Sequence, residues 1–360
     1  MIPLLIDGHL DLSMNAIEWN RDLTRPLEEI REREAGMSDR PDRGNGVVSL
    51  EEMRRGRIGV CIATFIARYS FPGHPQPGWS SPEIAWSITR AQRAWYESME
   101  ERNQLRIIKT RAELDQYCAA WREGRESEVS NRIGIVLSLE GADSILSWRH
   151  LEQVVDEGLR AIGPAHYGPG VYAPGTGSEG GLTPRGRELL KAMERLNVTL
   201  DVTHLTDEAF WESLDLFSGN VWASHNNVRS LVPEQRQLSD DQIRALAERD
   251  AVIGAVLDAW MLVPNWERGV TRPEERGVAL RHVADHIDAV CQLLGTVRHS
   301  AIGSDLDGGF GREQAPCDLS SIADLQRLDE LLEQRGYSDD DRRAIFYENW
   351  QRCLRRTLGA

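Results

Sequence analysis

Eight short runs of this 360-residue chain are apolar at nearly every position, at 2–6, 58–67, 133–139, 159–163, 198–202, 221–223, 251–257 and 300–303. A strand that stays hydrophobic on both faces must be covered on both, the condition of a parallel sheet wrapped by helices. Helix-like stretches lie between the runs. Residues 81–105 repeat apolar positions at intervals of three and four, and Ser81-Pro82-Glu83 makes a helix start. Thr183-Pro184 sets a capping hydroxyl beside a proline at the first helical position. The same period returns over 278–294, 319–335 and 338–354. The order predicts an α/β protein of the closed (β/α)8 TIM-barrel type, with a doubly wound open sheet as the second choice. One domain is expected over 1–360, with insertions at about 18–49 and 166–181 and a C-terminal helical segment. The first insertion is charged and reads as a lid or a solvated loop. The second carries six glycines and two prolines and reads as a loop on the active face.

Composition narrows the function classes. Lys and Arg number 42 against 57 Asp and Glu, a net charge of -15 without a basic block, which argues against nucleic acid or an anionic membrane as partner. The apolar start Met1 to Ile6 is stopped by Asp7, too soon for a secretory or spanning segment. Cys61, Cys118, Cys291, Cys317 and Cys353 are odd in number and far apart, so a reducing, cytoplasmic setting is expected.

The chemistry sits where the runs end. The first closes in Asp7-Gly8-His9-Leu10-Asp11, where residues two apart point the same way and offer a nitrogen and an oxygen to one ion. The third closes in Glu140, a carboxylate that needs a partner if buried. The fifth and sixth close in His204 and His225, and the eighth runs into Asp305 and Asp307, which share a face if the strand continues. A single histidine at such a place is ordinarily a core or loop residue. Five strand ends bearing His or carboxylate, on the face where barrels keep their chemistry, point instead to a metal site. His9, Asp11, Glu140, His204 and His225 are too many ligands for one catalytic zinc. They divide over two ions, His9 and Asp11 on one, His204 and His225 on the other, with Glu140 bridging. Two Zn²⁺ about 3.5 Å apart share a hydroxide of lowered pKa. His282 and His286 are one helical turn apart but lack an HExxH glutamate, and they read as packing or surface residues, as does His299. No nucleophile elbow or dinucleotide fingerprint is present.

In this order, Asp7-Gly8-His9-Leu10-Asp11, Ser138-Leu139-Glu140-Gly141, Gly181-Leu182-Thr183, Asp201-Val202-Thr203-His204, Ser224-His225-Asn226-Asn227-Val228-Arg229 and Gly303-Ser304-Asp305-Leu306-Asp307-Gly308 resemble the renal or membrane dipeptidase family of the amidohydrolase superfamily. The resemblance reaches Glu348-Asn349-Trp350. It implies a two-zinc dipeptidase, a dipeptide substrate and a homodimer. It also implies roles for three residues: His166 on the scissile carbonyl, Arg236 on the terminal carboxylate, and Asp305 in proton transfer and at the substrate amine. On the residues alone Arg236 reads as a surface arginine. The second run departs from the Gln-Phe-Trp type segment of the family and reads Cys61-Ile62-Ala63-Thr64-Phe65-Ile66-Ala67-Arg68, and the loop through Trp19 and Asn20 departs as well. Both lie where a substrate's N-terminal side chain would be judged. The alternatives are an amidohydrolase acting on another small amide, N-acyl amino acid or lactone, and a metal-stabilised binding scaffold.

Overall fold

The computed structural model describes residues 2–129 and 131–359; Met1, where the apolar start begins, lies outside them with Ser130 and Ala360. The described residues form strands β1 (Leu5–Leu10), β2 (Ile58–Ile66), β3 (Leu105–Ile107), β4 (Ile133–Glu140), β5 (Leu159–Gly163), β6 (Thr199–Asp201), β7 (Val221–Trp222), β8 (Ile253–Ala255) and β9 (Ser300–Ile302). Every ladder between them is parallel, and every residue of β1, β2 and β4 is buried, as the unbroken apolar runs require. The runs become strands in their predicted order. β3 is an addition: the helix expected over 81–105 ends at Glu101, and Leu105–Ile107 pairs with the first residues of β4.

The sheet does not close, which corrects the expected (β/α)8 barrel. Seven strands form one sheet in the order β1-β2-β4-β5-β6-β7, with β3 on β4, while β8 and β9 pair apart as a two-stranded sheet. The result is an open half-barrel curled through 234° with its edges 9 Å apart. Two causes are visible. The later strands are only two or three residues long, so Ala223 and Ile253 make a single bridge where a ladder would be needed. On the far side of β9, Asn349 Nδ2 donates to Ser300 O (2.9 Å) and Trp350 Nε1 donates to Ile302 O (2.8 Å). Those carbonyls are therefore satisfied by side chains of the C-terminal helix Asn349–Thr357 and not by β1. Gly8 makes room for this: a Cβ there would lie 2.3 Å from the Trp350 ring.

Caps set the helices as the sequence suggests. Ser81 Oγ accepts from Ile84 N–H at the head of Pro82–Glu101, and Thr183 Oγ1 from Gly186 N–H at the head of Pro184–Arg195. The 18–49 insertion is neither a free lid nor a solvated loop. Its Leu23, Leu27, Ile30 and Val47 are buried, and Arg21 sits at its centre, bonded to Glu34 (2.8 Å) and Asp42 (3.0 Å) and 3.7 Å from Asp307. This folded insertion forms one wall of the cavity described next.

Candidate metal centre

His9 belongs to β1 itself, and Asp11 follows one residue beyond the strand. Glu140 is the last residue of β4, and His204 and His225 stand just past β6 and β7. Parallel strands present these ends on one side of the sheet, and there the five side chains meet, all buried. Glu140 divides its two oxygens. Oε2 faces His9 Nε2 at 3.5 Å, while Oε1 faces His204 Nε2 at 3.1 Å and His225 Nε2 at 3.4 Å. His9 Nε2 also lies 3.7 Å from Asp11 Oδ1 and 3.8 Å from Asp305 Oδ1. Three groups of ligand atoms therefore fall within reach of an ion: His9, Asp11 and Glu140; Glu140, His204 and His225; and His9, His225 and Asp305.

The donor set fits divalent metal. His9 Nε2 is buried without a hydrogen-bond partner among the described residues, although it faces three carboxylates. Burial, then Arg236, hold His204 well below the usual histidine range; burial, then His9 and Arg236, do so for His225, leaving both neutral with a lone pair to offer. Burial would also lower His9, but Glu140 and Asp11 outweigh it and raise His9 well above that range, an acidic surround that an ion would relieve. Burial raises Glu140 and raises Asp305 well above the usual carboxylate range. Neighbouring hydroxyls orient the rings: Thr176 Oγ1 lies 2.9 Å from His204 Nδ1, and Ser224 Oγ 2.9 Å from His225 Nδ1 and 3.4 Å from His9 Nδ1. Such contacts leave each Nε2 free to face the centre.

His166, Arg236 and Asp305 border the same space. His166 Nε2 is 4.0 Å from Glu140 Oε1, and burial, then Arg68 and Arg236, keep its ring neutral. Arg68 Nη2 contacts its Nδ1. A guanidinium can only donate, so Nδ1 accepts and the ring's proton sits on Nε2, toward the cluster. Arg236 is not a surface residue: it is 5% exposed, donates to His225 O at 2.9 Å, and leaves Nε and Nη1 without partners among the described residues. Asp305 does not continue a strand. β9 stops at Ile302, and Asp305 and Asp307 both take left-handed backbone conformations, φ 56° and 61°. That turn sends them apart, contrary to the shared face expected, and Asp307 accepts from Val47 and Val48 N–H beneath the insertion. His204 is left-handed too, φ 69°, a conformation that costs a non-glycine residue energy and that the surrounding packing must hold.

The decoy histidines are structural. His286 is buried, accepting from Val228 N–H (3.2 Å) and facing Leu262 O (3.3 Å). His282 accepts from Ala279 N–H at a helix start, and His299 faces Ala251 O at 2.8 Å. The sequence reading missed Arg68, Thr176 and Tyr167, all near the centre. Arg68 did stand in a segment that departs from the family pattern. A cavity of about 750 Å³ opens over the cluster, reaching from Trp19 and Arg40 of the insertion to Asp258 and Arg268.

The family model for membrane dipeptidases, peptidase family M19, matches residues 3–358 of this chain. An uncharacterised Klebsiella pneumoniae protein of the pqqA 5′ region is 31% identical over 240 residues, covering 64% of this chain and 83% of its own. Two solved structures share the fold. One, of a metallopeptidase described as dipeptidase AC, superposes with a TM-score of 0.79 at 24% identity over 100% of both chains. The other, from Rhodobacter sphaeroides and liganded with a phosphinate mimic of the dipeptide L-Ala-D-Ala, gives 0.77 at 23% identity over 98% of this chain and 99% of that one.

Proposed function

This chain belongs to the membrane dipeptidase family, peptidase family M19, and on that premise we propose how its own residues carry out metal-dependent dipeptide hydrolysis. The observation that carries the reading is Glu140, whose two oxygens face two separate ligand sets across one buried centre. His9 and Asp11 would hold one ion and His204 and His225 the other, with Glu140 facing both sets; zinc suits this mixture of imidazole and carboxylate. Such ions would supply a Lewis acid for the peptide carbonyl and a water of lowered pKa as nucleophile.

The protein's part is positioning and proton movement. Arg236, buried with two unused donors, fits the substrate's α-carboxylate in a forked pair of bonds. His166 directs Nε2–H toward the carbonyl oxygen and stabilises the charge that grows there. Asp305, as its carboxylate, takes a proton from the attacking water and passes it to the leaving amine, and burial makes that carboxylate a stronger base than an exposed one. It also faces the substrate's free amino group. Gripping both ends favours dipeptides over longer chains.

We place the enzyme in the cytoplasm as a homodimer acting on small molecules. Five unpaired thiols support the first part of that reading, and the family resemblance the second. The test is amino-acid release from L,L- and L,D-dipeptides by zinc-loaded protein beside a chelated control. Zinc-dependent release is the expected result. No release by protein shown to hold two metals, with turnover of an N-acyl amino acid or lactone, would replace the dipeptide by that substrate.

A further inference from the structure

Among the described residues four arginines are buried, and three of them are paired with carboxylates. Arg21 meets Glu34 and Asp42, Arg93 meets Glu97, and Arg342 meets Asp329 and Asp339. Arg236 is the fourth, and its unused donors face the substrate cavity. Arg68, half-buried, also faces this cavity with a donor unused. It follows β2, lines the same cavity, and forms no ion pair among the described residues. Its Nη1 donates to Pro77 O, its Nη2 contacts the neutral His166, and its buried Nε has no partner. Among the described residues no carboxylate comes within ion-pair distance of it; Glu140, Asp143 and Glu18 act from farther off, and burial outweighs them in lowering its affinity for its proton. A partly desolvated cation without a close counter-charge gains when a ligand carboxylate completes it.

A dipeptide bound as proposed has one α-carboxylate, and Arg236 takes it. In the proposed binding mode the first residue's side chain goes to the part of the cavity walled by segments after β1 and β2, which carry Glu18, Trp19, Arg40, Ile66 and Arg68. Arg40 lies flat over the Trp19 ring, its Cζ 3.7 Å from the centroid, which holds a second guanidinium on this wall. Glu18 opposes them, but burial raises its carboxyl to about 7, so that it is only about half ionised at neutral pH.

We propose that Arg68, with Arg40, makes the enzyme selective for dipeptides whose first residue is acidic, its side-chain carboxylate completing the unpaired guanidinium. The inference rests on the dipeptidase reading above and names its substrate class.

The experiment compares Glu-Ala, Gln-Ala, Ala-Glu and Lys-Ala on zinc-loaded wild type and Arg68→Gln, with metal content and circular dichroism checking each protein. Glu-Ala and Gln-Ala differ by one charge at equal size. Wild type is expected to favour Glu-Ala over Gln-Ala by about tenfold or more in kcat/KM, mainly through KM. In Arg68→Gln that ratio falls to near one, whatever happens to the absolute rates. An equal rate on Glu-Ala and Gln-Ala by wild type, a ratio untouched by the substitution, or a preference for Ala-Glu or Lys-Ala overturns the proposal. Calorimetric binding of Glu-Ala and Gln-Ala separates the two readings. Charge-selective, Arg68-dependent binding without cleavage would keep Arg68 and overturn the dipeptidase, while cleavage without charge selection would do the reverse.

Discussion

Ser224 Oγ stands between Nδ1 of His225 and Nδ1 of His9, which the proposed division gives to different ions. When each Nε2 faces an ion, each Nδ1 carries the proton, and the hydroxyl's two lone pairs accept both. Ser224→Ala should therefore weaken metal binding by about 10- to 100-fold, read by competition with a chelator. Unchanged affinity would show that the hydroxyl orients neither ring. His286 makes a second prediction at this scale. Burial lowers its pKa from 6.5 to about 4, and its Nδ1 accepts from Val228, close behind His225. The folded state holds it neutral, so its contribution is complete above pH 6.5 and is lost as pH falls toward 4, as the unfolded chain takes up the proton first. The full span is about 3 kcal/mol. Urea melts of wild type and His286→Gln should diverge in pH dependence within that window and run parallel above it. Parallel curves throughout would remove His286 from the acid sensitivity. Both histidine roles were half visible in the chain. His225 was marked by its place at a strand end, whereas His286 was only excluded as a ligand, because its partners lie 58 and 24 residues away.

At the scale of elements, the C-terminal helix does what a strand neighbour would do in a closed barrel. Asn349 and Trp350 follow a π turn over Ala344–Glu348 and take the outward carbonyls of β9. Trp350→Phe keeps the ring against Gly8 but strands Ile302 O without its donor. A loss of about 1 to 3 kcal/mol is expected in chemical denaturation. No measurable loss would mean that water or β1 reaches that carbonyl instead. Gly303 is the more sensitive position, since a Cβ there would lie 1.8 Å from Ser224 O. Gly303→Ala must push β9 away from the His225 turn, moving Asp305 with it. Hydrophobic continuity made the long strands legible, and capping residues made the helix starts legible. β3 was not legible, because three residues between two helices are too few to show a period.

For the whole molecule, metal and fold are coupled. Asp11, Glu140 and Asp305 crowd around His9 in a buried centre, a costly arrangement that bound ions neutralise. Removing the metal should lower the melting temperature, and restoring zinc should recover it. Each ion adds about 4 kcal/mol when present at a thousandfold excess over its dissociation constant. A melting temperature indifferent to chelation, in protein shown to have lost its metal, would uncouple the site from the fold. Arg21 ties the insertion to Asp307 beneath the site, and Arg21→Met would leave buried Asp42 without its cation and Glu34 with Arg43 alone, at about 3 to 5 kcal/mol. Loss of insertion packing should then appear as protease cleavage between 18 and 49.

The chain by itself determined the order of strands and helices, because burial on both faces writes a continuous apolar run. It also determined which residues stand at the strand ends, since that is a matter of position along a run. Tertiary structure alone decided that the sheet stays open, because closure depends on which groups satisfy the carbonyls of β9, and those donors come from a helix some 50 residues later. It decided as well that Asp305 and Asp307 part, through backbone angles no side-chain pattern encodes, and that Arg68 and Arg236 face one cavity with donors unused. Pairing of buried charges is a property of three-dimensional neighbours, and neighbours 168 positions apart leave no trace in local sequence.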